Sequence, residues 1–497
     1  MKALRAIGAL TLTLELAACT TVGPDYHLPE RAAINLAEGQ DKFIGAMAAG
    51  VVSAPLPADW WQLYRDPTLN SLIEEAFGAN ADLRVAAANL ARAHAIVAEA
   101  ESANEPAGRV SADVTRQKVA GQAFLLHESI PPLSLGAGGL AAAYQIDFFG
   151  QLRRLTEAAE ADAEASQAAL DLVRVNVAAD VTRAYVEACA AGHEQAVAQR
   201  ALDEQTDNMA VMRKLADAGR GTLIDVTRAK SQVEQLRASL PVFDARRNRA
   251  LYSLAALTGR PPAGFPKAAA RCARLPQLGA PIPVGDGAAL LRRRPDVRQA
   301  ERGLAGATAR IGVATAALYP QVSIGLTAGL TGLLADLGKP ETQRWSIGPL
   351  ISWTIPGGVE FARLAVTEAG AQVALARFDG VVLNALRDTE SALTIYAREL
   401  DRNASLRAAR NQAAEAARQV KTLYRGGRAP YLSDLDARRT LTASDSALAA
   451  SDAQVALDQV NLFLALGGGW ESAAAKENEH GKHDQVKTEA HASTAGH

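Results

Sequence analysis

Residues 322–331 alternate strictly. Val322, Ile324, Leu326, Ala328 and Leu330 fall on one face of an extended chain, and Ser323, Gly325, Thr327, Gly329 and Thr331 fall on the other. A strand of a soluble sandwich can read this way. About ten residues is also the length of a strand tilted across a bilayer, with an apolar lipid face and a small, polar lumen face. The neighbours favour the second reading, because the flanking chain is Ala-rich with helical periodicity and offers no soluble sheet to join. The pattern recurs. Leu140, Ala142, Tyr144, Ile146 and Phe148 oppose Ala141, Ala143, Gln145 and Asp147; residues 110–115 alternate; Ile347, Ile351, Trp353 and Ile355 share a face. Strands are therefore expected at about 110–115, 139–148, 322–331 and 346–355. The Gly- and Pro-rich stretch 116–138 reads as a loop outside the cell, and Gly136-Ala137-Gly138-Gly139 reads as flexible linker.

Between the strands the period changes to that of helices. Asp66-Pro67 starts one helix with proline in its first turn, and helical patterning runs over 67–77 and 80–105 until Pro106 ends it. Residues 153–218 hold no proline, which allows a rod of roughly 100 Å at 1.5 Å per residue. Its seam is Leu170, Val173, Val177, Val181, Ala184 and Ala188, stepping by three or four. Gly219-Arg220-Gly221 then reverses the chain, and a second helix runs over 222–257, with a kink or bulge expected at Pro241. Residues 259–287 are a Pro- and Gly-rich linker. After it the parts repeat in order. Asp82 and Pro106 match Asp296 and Pro320 at an offset of 214, while Gly150 and Gly219 match Gly358 and Gly427 at 208. An offset that changes only across the strands is the mark of a duplication with unequal loops. The second long helix carries Leu375, Phe378, Val382 and Ala385 in its seam, turns at Gly426-Gly427, and returns over 431–466. The expected organisation is a leader at 1–18, an N-terminal segment at 19–66, repeats at 67–258 and 288–470 with the linker 259–287 between them, and a polar, disordered tail at 471–497.

Composition narrows the function classes. The 497 residues carry a net charge of -2 and 5% aromatics, with no basic cluster interleaved with aromatics, which argues against nucleic acid. No run of eighteen apolar residues follows the first twenty, so no transmembrane helix is expected. Lys2 and Arg5 precede an apolar run, and Leu16-Ala17-Ala18-Cys19 resembles a bacterial lipobox, although Glu15 departs from the pattern. Cys19 would then carry covalent diacylglyceryl and palmitoyl groups, the only non-protein groups expected. Thr20 rather than aspartate follows it, which fits the outer membrane. Cys189 sits in a helical run and Cys272 in the linker; neither a structural disulfide nor a metal site is expected, and Cys189 reads as a small buried apolar residue. His480, His483, His491 and His497 are scattered in the solvated tail. There is no His-Glu-X-X-His, Gly-X-Ser-X-Gly or phosphate-binding glycine loop, so no enzyme is expected.

Cys19, Val22-Gly23-Pro24-Asp25-Tyr26, Asp147-Phe148-Phe149-Gly150, Arg293-Arg294-Pro295-Asp296-Val297-Arg298 and Tyr424-X-X-Gly427 together resemble the TolC-like outer-membrane efflux family, in its lipoprotein (NodT/OprM) branch. Each motif is weak alone; their order and the duplication make the resemblance specific, from Cys19 to Trp470. The resemblance implies an α+β membrane protein. Three chains, four strands each, would make a twelve-stranded outer-membrane β-barrel continued by a long periplasmic α-helical coiled-coil barrel. The implied partners are two more copies of the chain, outer-membrane lipid, a periplasmic adaptor and an inner-membrane RND-type transporter. The helix reversals would form a periplasmic gate. Asp225 and Tyr424 match its polar links, with the tyrosine hydroxyl donating to the carboxylate across two helices. The family's gate arginine would fall at Ala429, with Arg428 beside it as a substitute. Its two constriction aspartates map to Ser433 and Asp436, with Asp434 displaced by one position; the alternative for both aspartates is an ordinary charged helix N-terminus. Gly219, Gly221, Gly426 and Gly427 would admit the adaptor's hairpins or simply serve the turns. The leading function is a passive exit duct for small molecules in a tripartite efflux pump; a protein-secretion duct and a non-conducting periplasmic scaffold are the alternatives.

Overall fold

The computed structural model describes residues 21–47, 50–120, 122, 125 and 127–470. The leader, Cys19 and the histidine tail lie outside the described residues. Two compact units are present: one takes the chain through Pro29, then Asn89–Gln167 and Gln299–Phe378; the other takes Glu30–Ala88, Ala168–Arg298 and the chain from Asp379.

The first unit is built on one antiparallel sheet of four strands, β2 (Ala107–Gln117), β3 (Leu133–Ile146), β5 (Gln321–Leu333) and β6 (Gln343–Ser352), in the order β2-β3-β5-β6. Register aligns the apolar positions in rows across the strands. Val110 lies opposite Leu140, Leu140 opposite Ala328, and Ala328 opposite Trp345. Ala142, Leu326 and Ile347 make the next row, and Ile146, Val322 and Ile351 another. Residues directly opposite share a face, so one side of the sheet is a continuous apolar surface. It is uncovered in the single chain: Trp345, Ile347 and Ile351 are 77%, 66% and 67% exposed. The other side carries Ser111, Thr327, Ser346 and Gln145, with a 2.7 Å hydrogen bond between the hydroxyls of Thr327 and Ser346.

Three of the strands, β2, β3 and β5, are longer than the alternation suggested, and β6 keeps its ten residues but starts three earlier. β3 begins at Leu133, which confines the loop after β2 to residues 118–132 and puts Gly136, Gly138 and Gly139 inside the sheet. These glycines are not linker. A Cβ on Gly139 would stand 2.8 Å from the Ala328 oxygen, and one on Gly329 would stand 2.3 Å from the Gly138 oxygen. Glycine here is a condition of close strand approach. β6 stops at Ser352, so Trp353 and Ile355 follow the strand, and the Trp353 indole donates to the Leu318 carbonyl at 3.1 Å.

The second unit holds the packed core. It contains α1 (Pro67–Ala79), capped by the Asp66 carboxylate, which accepts from Thr68 and Leu69. A two-stranded parallel pair joins β1 (Val51–Val52) to β4 (Ile282–Pro283). Buried Trp60 stacks on Phe463 at 4.4 Å between ring centres and donates to the Gly468 carbonyl. Around them Leu69, Ile73, Leu254, Leu290 and Leu462 are fully buried. Asn80 caps α2 (Ala81–Ser102) and binds the Leu257 carbonyl, the last of the helix Leu223–Leu257, at 3.1 Å.

Long helices dominate the chain: α3 (Gln151–Asp217), α4 (Leu223–Leu257), α7 (Gly358–Arg425) and α8 (Tyr431–Leu466), with α5 (Gly287–Arg293) and α6 (Pro295–Ala316) opening the second repeat. In α3, Leu170, Val177, Val181, Ala184 and Ala188 are buried, as are Phe378, Val382 and Ala385 in α7. α4 continues through Pro241 as a single helix.

One expectation fails outright. Cys189 and Cys272 form a disulfide, with their Cα atoms 4.8 Å apart. The linker crosses α3 at Gly192, where a Cβ would stand 2.4 Å from the Cys272 oxygen. A separation of 83 residues hid that crossing, because nothing local in either segment encodes it.

Candidate functional site

The two helix reversals are built alike. After α3, the Gly219 N–H bonds the Ala216 carbonyl at 3.0 Å and the Arg220 N–H bonds the Leu215 carbonyl at 2.8 Å. After α7, Gly427 bonds Tyr424 and Arg428 bonds Leu423 at the same two distances. This is the Schellman closure, which needs a left-handed residue at the turn; Gly219 and Gly427 both sit at φ +70. Added Cβ atoms there would meet nothing within 4 Å, so backbone conformation requires the glycines, and the space beside them is open. At Gly221 a Cβ would come within 3.2–3.4 Å of Leu215 and Ala216, so that glycine belongs to the tightness of the turn. Gly426 is in ordinary contact with the carbonyls of Thr422 and Leu423.

Between the reversals lies a small core. Met212, Ala229, Tyr431 and Leu435 are buried, with Met209, Leu215, Val226 and Tyr424 packed against them. The rings of Tyr424 and Tyr431 are 5.9 Å apart and tilted by 56°. The Tyr431 hydroxyl accepts from the Asn208 side-chain amide at 3.0 Å, a buried link from α8 to α3.

The expected Tyr424–Asp225 link is not made in this chain. The Tyr424 hydroxyl points at the Met212 sulfur, 3.9 Å away. Asp225 is held locally: its carboxylate accepts from the Thr222 hydroxyl at 2.7 Å, the hydroxyl accepts from the Asp225 N–H, and Arg228 lies 3.9 Å off. This is a capping arrangement at the start of α4. Both acids still act on the tyrosine through space. Burial raises the Tyr424 phenol above its ordinary pKa, and the charges of Asp434 and Asp225 raise it further.

Asp434 and Asp436, two residues apart on α8, part company. Asp434 is 1% exposed and pairs with Arg438 at 2.6 Å, one turn along the helix. Asp436 is exposed, and so is Arg428. Asp434 is therefore a buried, paired acid of the tip core, which corrects its reading as a displaced constriction residue. Sequence reasoning missed Asn208, Met212, Tyr431 and Arg438. The signal available was the duplication: Tyr431 stands 208 residues after the exposed Leu223, so the two reversals differ at this point. Among the described residues no group of His, Cys, Asp or Glu could hold a metal ion, and no helix is long and apolar enough to cross a membrane.

A duplicated chain whose repeats each supply two strands of a sheet with an uncovered apolar face and two long helices closed by a glycine reversal has the build of an outer-membrane channel protein. The structure agrees with that of the outer-membrane channel OprN, at 33% identity and a TM-score of 0.83 over 91% of this chain and 100% of that one. The sequence is 30% identical to nodulation protein T of Rhizobium leguminosarum bv. trifolii, covering 93% of this chain and 97% of the relative. It is 29% identical to outer membrane protein OprJ of Pseudomonas aeruginosa, covering 94% and 96%. The family described as outer membrane efflux protein matches residues 72–260 and 288–468. The chain belongs to the outer membrane efflux protein family, and its place is the outer membrane.

Proposed function

We propose that three copies of this chain form the passive exit duct of a tripartite efflux pump. They would pass small molecules from the periplasm to the exterior while an inner-membrane RND-type transporter supplies the energy and a periplasmic adaptor joins the two. The observation that carries the reading is the sheet. Its apolar rows are continuous across four strands, its other face mixes small and polar residues with Arg109, Arg344 and a few leucines, and its outer strands β2 and β6 each have one unpaired edge. Unpaired backbone groups cannot stay open to lipid, where each costs several kcal/mol. Further copies of the sheet close those edges, and three copies give twelve strands. The protein then has a transport path and no catalytic step.

The N-terminal segment supports lipid anchoring at Cys19. The Val22 N–H bonds the Phe149 carbonyl at 3.1 Å, just past the end of β3. Buried Arg154 holds the segment in place, reaching the carbonyls of Val22 and Gly23 at 3.4 Å and the Asp25 carboxylate at 2.6 Å. Phe149 stacks on Tyr319, which precedes β5, at 4.6 Å; paired aromatics suit the level of the lipid headgroups. Cys19 lies only three residues before Val22 in the sequence.

At the tips, the core of Met212, Tyr424, Tyr431 and Leu435 is the resting seal of the gate, and a ring of three exposed Asp436 carboxylates sets a modest cation preference. The open spaces beside Gly219 and Gly427 receive the adaptor. Opening is a shift in the population of tip conformations when the adaptor binds. Purified protein should behave in detergent as a particle of about three times the 52.1 kDa chain mass and conduct in planar bilayers. A monomeric particle that carries no current refutes the duct.

A further inference from the structure

The four long helices of the second unit enclose a cavity of about 200 Å³. It is lined by four guanidinium groups, Arg200 of α3, Arg410 of α7, and Arg438 and Arg439 of α8, against the two carboxylates of Glu204 and Asp445. Their pairing leaves donors over. Arg410 gives its Nε to Asp445 at 2.7 Å, Arg439 gives its Nε to Gln232 at 2.8 Å, and Arg438 gives its Nε to Asp434 at 2.6 Å. The Nη groups of these three arginines make no hydrogen bond among the described residues. Arg200 has no carboxylate within ion-pair distance among them either. The independent sign is Gln205. It lines the same cavity, is 5% exposed, and its buried Nε2 has no partner. A buried amide left without an acceptor is costly and calls for one.

We propose that this cavity binds a small oxyanion with the geometry of phosphate. Donors outnumber acceptors in the lining: guanidinium forks approach from three helices beside the orphan amide of Gln205, against the carboxylates of Glu204 and Asp445, and Asp445 is already bound to Arg410. Several acceptor oxygens pointing in different directions match forks that arrive from different helices. The volume excludes a drug-sized ligand, which needs about 300 Å³ or more. Once bound, the ion is held jointly by α3, α7 and α8, so it ties the α3–α4 hairpin to the α7–α8 hairpin behind the reversals. It acts through Arg438, whose other partner is Asp434 of the tip core. Anion occupancy therefore favours the packed arrangement of the tips.

The test is inorganic phosphate titrated into the purified full-length protein in detergent at constant ionic strength, followed by calorimetry and by the thermal midpoint. Saturable binding is expected, with a midpoint that rises with phosphate as mass action requires and does not rise when chloride replaces it. Arg410→Gln and Gln205→Leu should each weaken phosphate about tenfold or more. Arg200→Gln, at an exposed position outside any ion pair, keeps the fold and should also weaken binding. Lys230→Gln, exposed on α4 away from the cavity, should leave it unchanged. Equal midpoint shifts with chloride and phosphate overturn the proposal, as does wild-type phosphate affinity in both Arg410→Gln and Arg200→Gln. Binding is read whether or not the protein conducts, so this test and that of the duct fail independently.

Discussion

Leu326 and Thr327 are adjacent at the middle of β5, and the duct reading gives them opposite fates. Leu326 lies opposite Ala142 and Ile347 on the apolar face; Thr327 lies opposite Ala141 and Ser346 on the polar one. β5 has 13 residues, about 43 Å of extended strand, which at a tilt near 40° spans about 33 Å of bilayer. Both positions therefore sit near the midplane. An arginine on the lipid face there costs about 2–4 kcal/mol, and three copies raise the cost for one assembly to about 6–12 kcal/mol. That is comparable to the whole stability of an ordinary domain, so Leu326→Arg should fail to assemble in the outer membrane. Thr327→Arg gives up one exposed hydroxyl pair, worth about 1 kcal/mol, and puts its charge in water. It should assemble at the wild-type level and lower cation conductance, because three positive charges then ring the lumen. The assays are outer-membrane fractionation with a heat-shift of the assembled species on gels, followed by single-channel recording. Normal assembly of Leu326→Arg, or failure of Thr327→Arg with success of Leu326→Arg, refutes the assignment of the two faces.

Tyr431→Ala should empty the tip core at a cost of about 3–5 kcal/mol and increase open-channel events and antibiotic uptake, while Tyr424→Phe should change neither, since among the described residues its hydroxyl bonds only the Met212 sulfur. A double change to Tyr424→Phe and Asp225→Ala that matches wild-type current would confirm that the lock is the core and not that polar pair. Cys272→Ser should remove a crosslink between residues 83 apart, lowering stability by about 4–5 kcal/mol on the chain-entropy account, read as a fall in thermal midpoint that reductant reproduces in the wild type. Palmitate labelling should vanish in Cys19→Ser while the assembly persists at reduced yield; retained label places the lipid elsewhere.

The alternation of Val322 to Leu330 was legible because a strand has one period and a lipid-facing strand shows it on the surface. The duplication was legible because two copies of one element order keep a constant offset. Gly136 to Gly139 misled for a definite reason. Glycine marks both a flexible loop and a close strand contact, and only the register to Gly332, Leu330 and Gly329 tells them apart. The disulfide and the Asn208–Tyr431 link escaped because each joins segments far apart in the chain, 83 and 223 residues, whose meeting depends on how long helices and a linker cross. Asp434 was visible as an acid near a helix start; that it turns inward onto Arg438 while Asp436 faces out follows from the 100° step between residues once the buried side of α8 is known.

The duplication also shows where the two halves stopped being equivalent. The backbone of both reversals is the same hydrogen bond for hydrogen bond, so the turn itself is inherited unchanged. The first residues of the returning helices are not. Leu223 begins α4 at 78% exposure; Tyr431 begins α8 buried. Thr222 caps α4 through its hydroxyl, whereas Pro430 precedes α8 with no side-chain cap. Asp225 has Ser433 as its counterpart, and the buried acid of α8 sits one residue later. One reversal is thus a self-contained, capped turn with an apolar residue presented outward. The other is held by what it packs on, Asn208 and Met212, beside the Asp434–Arg438 pair within α8. A turn stabilised locally keeps its shape when its surroundings move, and a turn stabilised by its neighbours does not. On the gating proposed above, the α7–α8 reversal is the half expected to move when the seal opens, and the α3–α4 reversal the half it moves against.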